Sequence, residues 1–141
     1  MAVQFVLLPL FVQVALTFAL LLWMGSARLR ALRRGEAKMV TIALGQPNWP
    51  PRVQQIGNCY GNQFQIPVLF YVLTALAIVT RHADVLFVVL SWLFVATRLV
   101  HAYIHTGSNY VPWRFYAFLA GTAVLLVMWI VFAVRILLGL S

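Results

Sequence analysis

Acidic residues are almost missing from this 141-residue chain: Glu36 and Asp84 stand alone against ten Lys or Arg. Charge of either sign is scarce, at 9% of residues, where a water-soluble domain carries about 25%. So little charge cannot cover a surface that faces water. Cysteine is down to Cys59 alone, which excludes a disulfide within the chain and a thiolate metal cluster. No internal repeat or low-complexity tract interrupts the sequence. Apolar side chains are abundant instead, with 64% hydrophobic residues and a mean hydropathy of +0.95. That richness excludes disorder, and the length argues for one domain. The natural solvent of such a chain is a lipid bilayer. A pI near 10.9 could suit nucleic acid, but the basic residues gather in one short segment between apolar runs. That is a membrane-orientation pattern, and no nucleic-acid partner is expected.

Four apolar segments follow one another, at about residues 3–24, 56–80, 85–104 and 111–140. A helix needs about 20 residues to cross about 30 Å of hydrocarbon. Backbone in lipid must satisfy its own hydrogen bonds, so all four segments are expected to be helices. The connections at 81–84 and 106–109 are short, which makes neighbouring helices antiparallel. Pro112 suits a first helical turn. The fold class expected is an all-α, four-helix membrane bundle in a single domain over residues 1–141. The first segment has no basic residue ahead of it and is too long for a signal core, so it is expected to remain a span.

The loop over 25–55 carries Arg28, Arg30, Arg33, Arg34, Lys38 and Arg52, opposed by Glu36 alone. Positive charge marks the cytoplasmic side, which places both termini outside. Residues 26–39 are expected to continue the first helix into the headgroups and anchor on anionic lipid. Residues 45–51, with Pro47, Pro50 and Pro51, read as a linker.

Length then shows where polar groups must lie deep. The uninterrupted apolar part of the second span, residues 66–80, is about 22 Å of helix, too short to cross. The helix must take in Gln55, Asn58, Asn62 and Gln65, which share a stripe about 80° wide. In the third span, residues 85–97 precede Arg98 and reach only about 20 Å. Arg98 therefore lies at membrane depth, and His101 and His105 share its face within about 60°. Arg114 opens the fourth span. Topology brings the start of span 2, the end of span 3 and the start of span 4 to one side. Asn58, Asn62, Gln65, Arg98, His101, His105 and Arg114 should meet there. Cations and amides without carboxylates suit an anion rich in hydrogen-bonding groups.

Plainer roles stand beside this one. Arg114 and Arg135 can snorkel to the interface, and Asn58 and Asn62 can be interhelix glue worth about 0.6 kcal/mol each. The His101 and His105 pair lacks a supporting carboxylate or thiolate, so no metal is expected. His82 reads as a solvated turn residue, Cys59 as a small buried one, and Trp49 and Trp113 as interfacial residues.

The segment Asn62-Gln63-Phe64-Gln65-Ile66-Pro67-Val68-Leu69-Phe70-Tyr71, the Arg98-x-x-His101 pattern and the following Arg114 resemble the MAPEG family, the membrane-associated proteins in eicosanoid and glutathione metabolism, in its bacterial type. The resemblance covers most of the chain. It implies a homotrimer that holds glutathione between subunits near the cytoplasmic face, with apolar electrophiles or lipid peroxides arriving from the bilayer. Carried over by position, Arg98, His101 and Arg114 would bind or orient the peptide, and Asn62 would add a polar contact. Departures from the family pattern are Gln65 where bacterial members often have Glu, and Gln63 and Tyr60 where eukaryotic glutathione enzymes have Glu and Asn. His105, Phe115 and Phe118 replace hydroxyl-bearing residues. Arg114 and His105, or Tyr116, are then the candidates to activate a thiol.

Two functions follow. The first is a glutathione S-transferase or peroxidase-like protein of the bacterial inner membrane. The second is a non-catalytic scaffold holding an anionic lipid headgroup. A transporter lacks support, because no span carries an acidic relay residue. A reporter fused after Ser141 is expected to report an exterior location in a topology assay. A cytoplasmic signal would reverse the orientation.

Overall fold

The computed structural model describes residues 2–45 and 48–140. Among them are six helices and no strand: α1 (Val3–Arg33), α2 (Met39–Ile42), α3 (Pro51–Asn62), α4 (Ile66–Val79), α5 (Val85–Thr106) and α6 (Val111–Leu137). Four helical stretches are long and apolar enough to cross a membrane: α1, α3 with α4 (Pro51–Val79), α5 and α6. The chain is thus all-helical with four membrane-crossing helices. Helix α1 continues past Met24 into the basic segment and stops at Arg33. In the linker read over 45–51, Pro47 lies outside the described residues, Pro50 is the N-cap of α3, and Pro51 is its first residue.

The second crossing is two helices joined by a turn rather than a single helix over 56–80. Its cause is Pro67, which has no N–H for the carbonyl of Gln63 and whose ring crowds that carbonyl. The backbone tightens through the break. The amides of Gln63, Phe64 and Gln65 bond the carbonyls three residues back at 3.0, 3.1 and 3.2 Å. Gln63 is thereby turned into the protein and Gln65 outward.

Helix α5 is the centre of the packing. Phe94 and Val95 meet Phe70, Leu73 and Ala77 of α4, Val6 of α1, and Leu125 and Met128 of α6. The Phe70 and Phe94 rings lie 4.9 Å apart. Helix α6 approaches α5 closely because residue 121 is glycine: a Cβ there would sit 2.7 Å from the Thr97 hydroxyl. Near the basic end, Ala27 and Ala31 of α1 pack on Val53 and Ile56 of α3. Phe18, Leu22, Val79 and Leu137 point outward, as expected where hydrocarbon surrounds the helices. Lipid is as apolar as leucine, so close packing and buried polar bonds hold the helices together rather than exclusion from water.

The end opposite the basic segment is tied by polar groups. Asp84 caps α5 by accepting from the Phe87 amide at 3.0 Å and pairs with Arg135 of α6 at 2.8 Å. His82 Nε2 lies 2.9 Å from the Leu140 carbonyl. Partial burial pushes the Asp84 carboxyl up, but the Phe87 amide and the Arg135 guanidinium outweigh it and hold the carboxyl below its ordinary 3.8. A carboxyl lowered in the folded state adds stability above its unfolded value and loses it as pH falls through the folded value. Asp84→Asn keeps a capping side chain but removes the charge. Because the pair is partly exposed, the loss in thermal stability at neutral pH is expected to stay under about 1 kcal/mol. In melts taken across pH in detergent, the gap to the parent should close below pH 3.8.

Candidate functional site

At the basic end, α3, the last turns of α5 and the first turns of α6 enclose a cavity of about 380 Å³. Its lining is Asn58 and Asn62 from α3, His101 and His105 from α5, and Val111, Arg114, Phe115 and Phe118 from α6. On α5 the two histidines are one turn apart on the face that Arg98 begins. Their rings meet edge to face with centroids 5.4 Å apart, and His101 lies 5.9 Å from Phe118. The Nδ1 atoms of both are buried without a hydrogen-bond partner. Arg114 Nη1 donates to Asn109 Oδ1 at 2.8 Å; Asn109 takes a left-handed backbone in the α5–α6 turn, with φ 52°. That bond sets the guanidinium at the cavity wall.

Arg98 is elsewhere. It is only 1% exposed and is not among the lining residues. Its Nη2 donates to Asn62 Oδ1, to Gln63 Oε1 at 3.3 Å and to the Asn62 carbonyl at 3.4 Å. Its Nε and Nη1 are buried without a partner. Asn62 stands between this guanidinium and the cavity, and its Nδ2 donates to Gln65 Oε1 at 2.8 Å. Gln65 itself is exposed and orients Asn62 from the side. Asn58 is fixed in the same way by Gln54 Nε2 at 2.8 Å. Of the seven residues expected to converge, five line the cavity. Arg98 lies behind Asn62 and Gln65 beside it.

Two residues outside that set complete the support. Gln63, 1% exposed, accepts from Gln13 Nε2 at 2.9 Å and donates to the Cys59 carbonyl at 2.9 Å. Gln13 of α1 is fully buried. An amide in the middle of an apolar span is a signal in itself, because it must find a partner in protein. The end of α5 is capped by α3: Gln55 Nε2 donates to the carbonyls of His105 at 2.8 Å and Gly107 at 2.9 Å, and Arg52 donates to that of Thr106. Among the described residues no three His, Cys, Asp or Glu side chains gather as a metal site. The nearest hydroxyl on α6 after Arg114 belongs to Tyr116, which is 65% exposed and does not line the cavity.

The chain is therefore an integral membrane protein whose polar side chains collect at one end of its helices. The family model of the MAPEG family matches residues 6–134, and the chain belongs to that family, which is generally glutathione-associated. Neither the curated proteins nor the solved structures held a match to it.

Gln63 joins α1, α3 and α5 through one amide. Gln63→Leu leaves Gln13 and Arg98 short of an acceptor inside the protein and is expected to cost about 2–3 kcal/mol. Gln63→Glu keeps the acceptor and should cost less. Thermal unfolding in detergent measures both; a Gln63→Leu melt equal to the parent's would show that the node carries no stability.

Proposed function

We propose that this chain is a membrane-embedded, glutathione-dependent transferase or peroxidase acting on apolar electrophiles or lipid peroxides. The observation that carries the reading is the cavity at the basic end, lined by a guanidinium, two imidazoles and two amides and by no carboxylate. Its volume of about 380 Å³ falls in the range of small-molecule sites, about 300–1,000 Å³. Its donors match a peptide with two carboxylates, and the unpaired Nδ1 atoms of His101 and His105 still need partners.

Glutathione supplies, when bound, the thiolate that attacks a carbon or peroxide oxygen. Arg114 favours the anionic forms of thiol and carboxylate by charge-assisted hydrogen bonds, and His105 adds a second polar group one helical turn from His101. Arg98 acts as a positioning residue, because it reaches the cavity through Asn62. Phe115 and Phe118 keep water from that wall. An apolar groove of about 370 Å³ lies beyond, lined by Ile66, Leu69, Thr122, Leu125, Leu126 and Trp129. On α6 its residues share one face with Arg114 and Phe118, by the helical repeat of about 100° per residue. An apolar substrate from the bilayer has a path along that face.

The assembly belonging to this reading is a homotrimer in the bacterial inner membrane, with the basic end in the cytoplasm. Asn58 and Gln65 support it. Both are exposed on the second crossing, Asn58 within the open cavity and Gln65 beside it, and polar groups at that depth call for protein around them. A second reading, an anionic lipid headgroup in the same cavity without catalysis, is favoured by one observation. Phe115 and Phe118 occupy the wall where a thiol-activating hydroxyl would stand.

Calorimetry on the detergent-purified protein is expected to show saturable heat with millimolar glutathione, at least about tenfold weaker in Arg114→Ala, the loss of one charge-assisted hydrogen bond. Absence of heat, with phospholipid retained in native mass spectra and lost in Arg114→Ala, would select the second reading.

A further inference from the structure

On the other side of α5, α1 and α5 leave a groove of about 290 Å³ near the basic end. Leu16, Leu20 and Trp23 of α1 face Leu99, Ala102 and Tyr103 of α5 across it, each set repeating at the three- and four-residue spacing of one helix face. From Leu16 to Trp23 is about 10 Å of helix, within the depth of one leaflet of a hydrocarbon core about 30 Å thick.

A cation closes the mouth. The Arg52 guanidinium carbon lies 5.2 Å from the centre of the Trp23 ring, and its Nη1 bonds the Thr106 carbonyl. Arg52 is otherwise exposed, so its remaining donors are open to the headgroup layer. Arg30 follows Trp23 by seven residues, within about 20° of its direction on α1, and Arg34 follows just past the helix end. They carry the apolar stripe on into positive charge. The one carboxylate at this end is Glu36.

We propose that this groove is a binding site for an anionic phospholipid, with one acyl chain between α1 and α5 and the phosphate against Arg52. Trp23 and Tyr103 are amphipathic rings of the kind that settle at the headgroup level. Basic pockets between membrane helices select anionic headgroups, and nothing in the mouth offers a carboxylate to the cation of a zwitterionic lipid. The site is separate from the cavity and stands whether or not the cavity takes glutathione. The same guanidinium bonds the carbonyl next to His105, so the lipid braces the end of the helix that carries both histidines.

The test is a native mass spectrometry titration of the full chain with phosphatidylglycerol and with phosphatidylcholine of the same acyl chains. The parent is expected to bind phosphatidylglycerol about fivefold more tightly, the effect of one basic residue at an anionic headgroup. Arg52→Gln should erase that preference. Ala19→Leu, at an exposed position lining the groove, should weaken both lipids by filling it, in a protein whose circular dichroism matches the parent. Arg114→Ala, altered only in the cavity, should keep the preference. Equal binding of the two lipids by the parent overturns the proposal. So does a full preference in Arg52→Gln, undiminished binding in Ala19→Leu, or a preference that disappears in Arg114→Ala.

Discussion

A guanidinium enclosed by membrane helices with no carboxylate near it is the constraint around which the rest of this protein is arranged. The only acids in the chain are Glu36 and Asp84, and Asp84 is engaged at the opposite end with Arg135. Arg98 is held instead by neutral oxygens: the side chain and carbonyl of Asn62 and the side chain of Gln63. Hydrogen bonds to a charged group are each worth about 1.5–3 kcal/mol, against a cost of at least about 2.5 kcal/mol for placing an arginine at mid-membrane. Several such bonds are needed. The break before Pro67 provides them, since it turns Gln63 inward while Asn62 stays at the end of α3. Gln13 and the Cys59 carbonyl then hold Gln63 in place.

The cavity inherits its shape from that arrangement. Asn62 faces Arg98 with its oxygen and Gln65 with its nitrogen, so its position at the cavity wall is set from behind. His101 and His105 are set by the capped end of α5, and Arg114 by Asn109 in the turn before α6. Asn58, Asn62 and Arg114 are thus anchored by residues outside the cavity, whereas the two imidazoles are placed by their helix alone. The apolar half of the wall, Phe115 and Phe118, comes from the same α6 turns as Arg114. A polar pocket and an apolar groove consequently lie along one face of α6.

Much of the fold is legible in the sequence, because hydrocarbon imposes a simple pattern: long uncharged runs must be helices, and short turns must reverse them. The grouping of Asn58, Asn62, His101, His105 and Arg114 is legible for a similar reason, since topology assigns each helix end to one side. Depth around a helix is not legible in the same way. The helical repeat puts Arg98 on the face of His101 but does not say that Asn62 will stand in front of it. Nor does a run of apolar residues after Gln65 reveal that Pro67 splits the crossing and sends Gln63 and Gln65 in opposite directions. Gln13 signals only that it needs a partner. Its bond to Gln63, fifty residues away in sequence, depends on how α1 leans on the break.

The broken crossing has an electrostatic consequence as well. Peptide dipoles along a helix sum to about half a negative charge at its C-terminal end. An unbroken helix from Pro51 to Val79 would carry that charge to the far side of the membrane. Because α3 stops at Asn62, its negative pole is delivered at the point where Arg98 bonds the Asn62 carbonyl. In a chain almost without acids, the Asn62 carbonyl thus supplies part of the counter-charge to Arg98, against the opposite pole that α4 brings at Ile66.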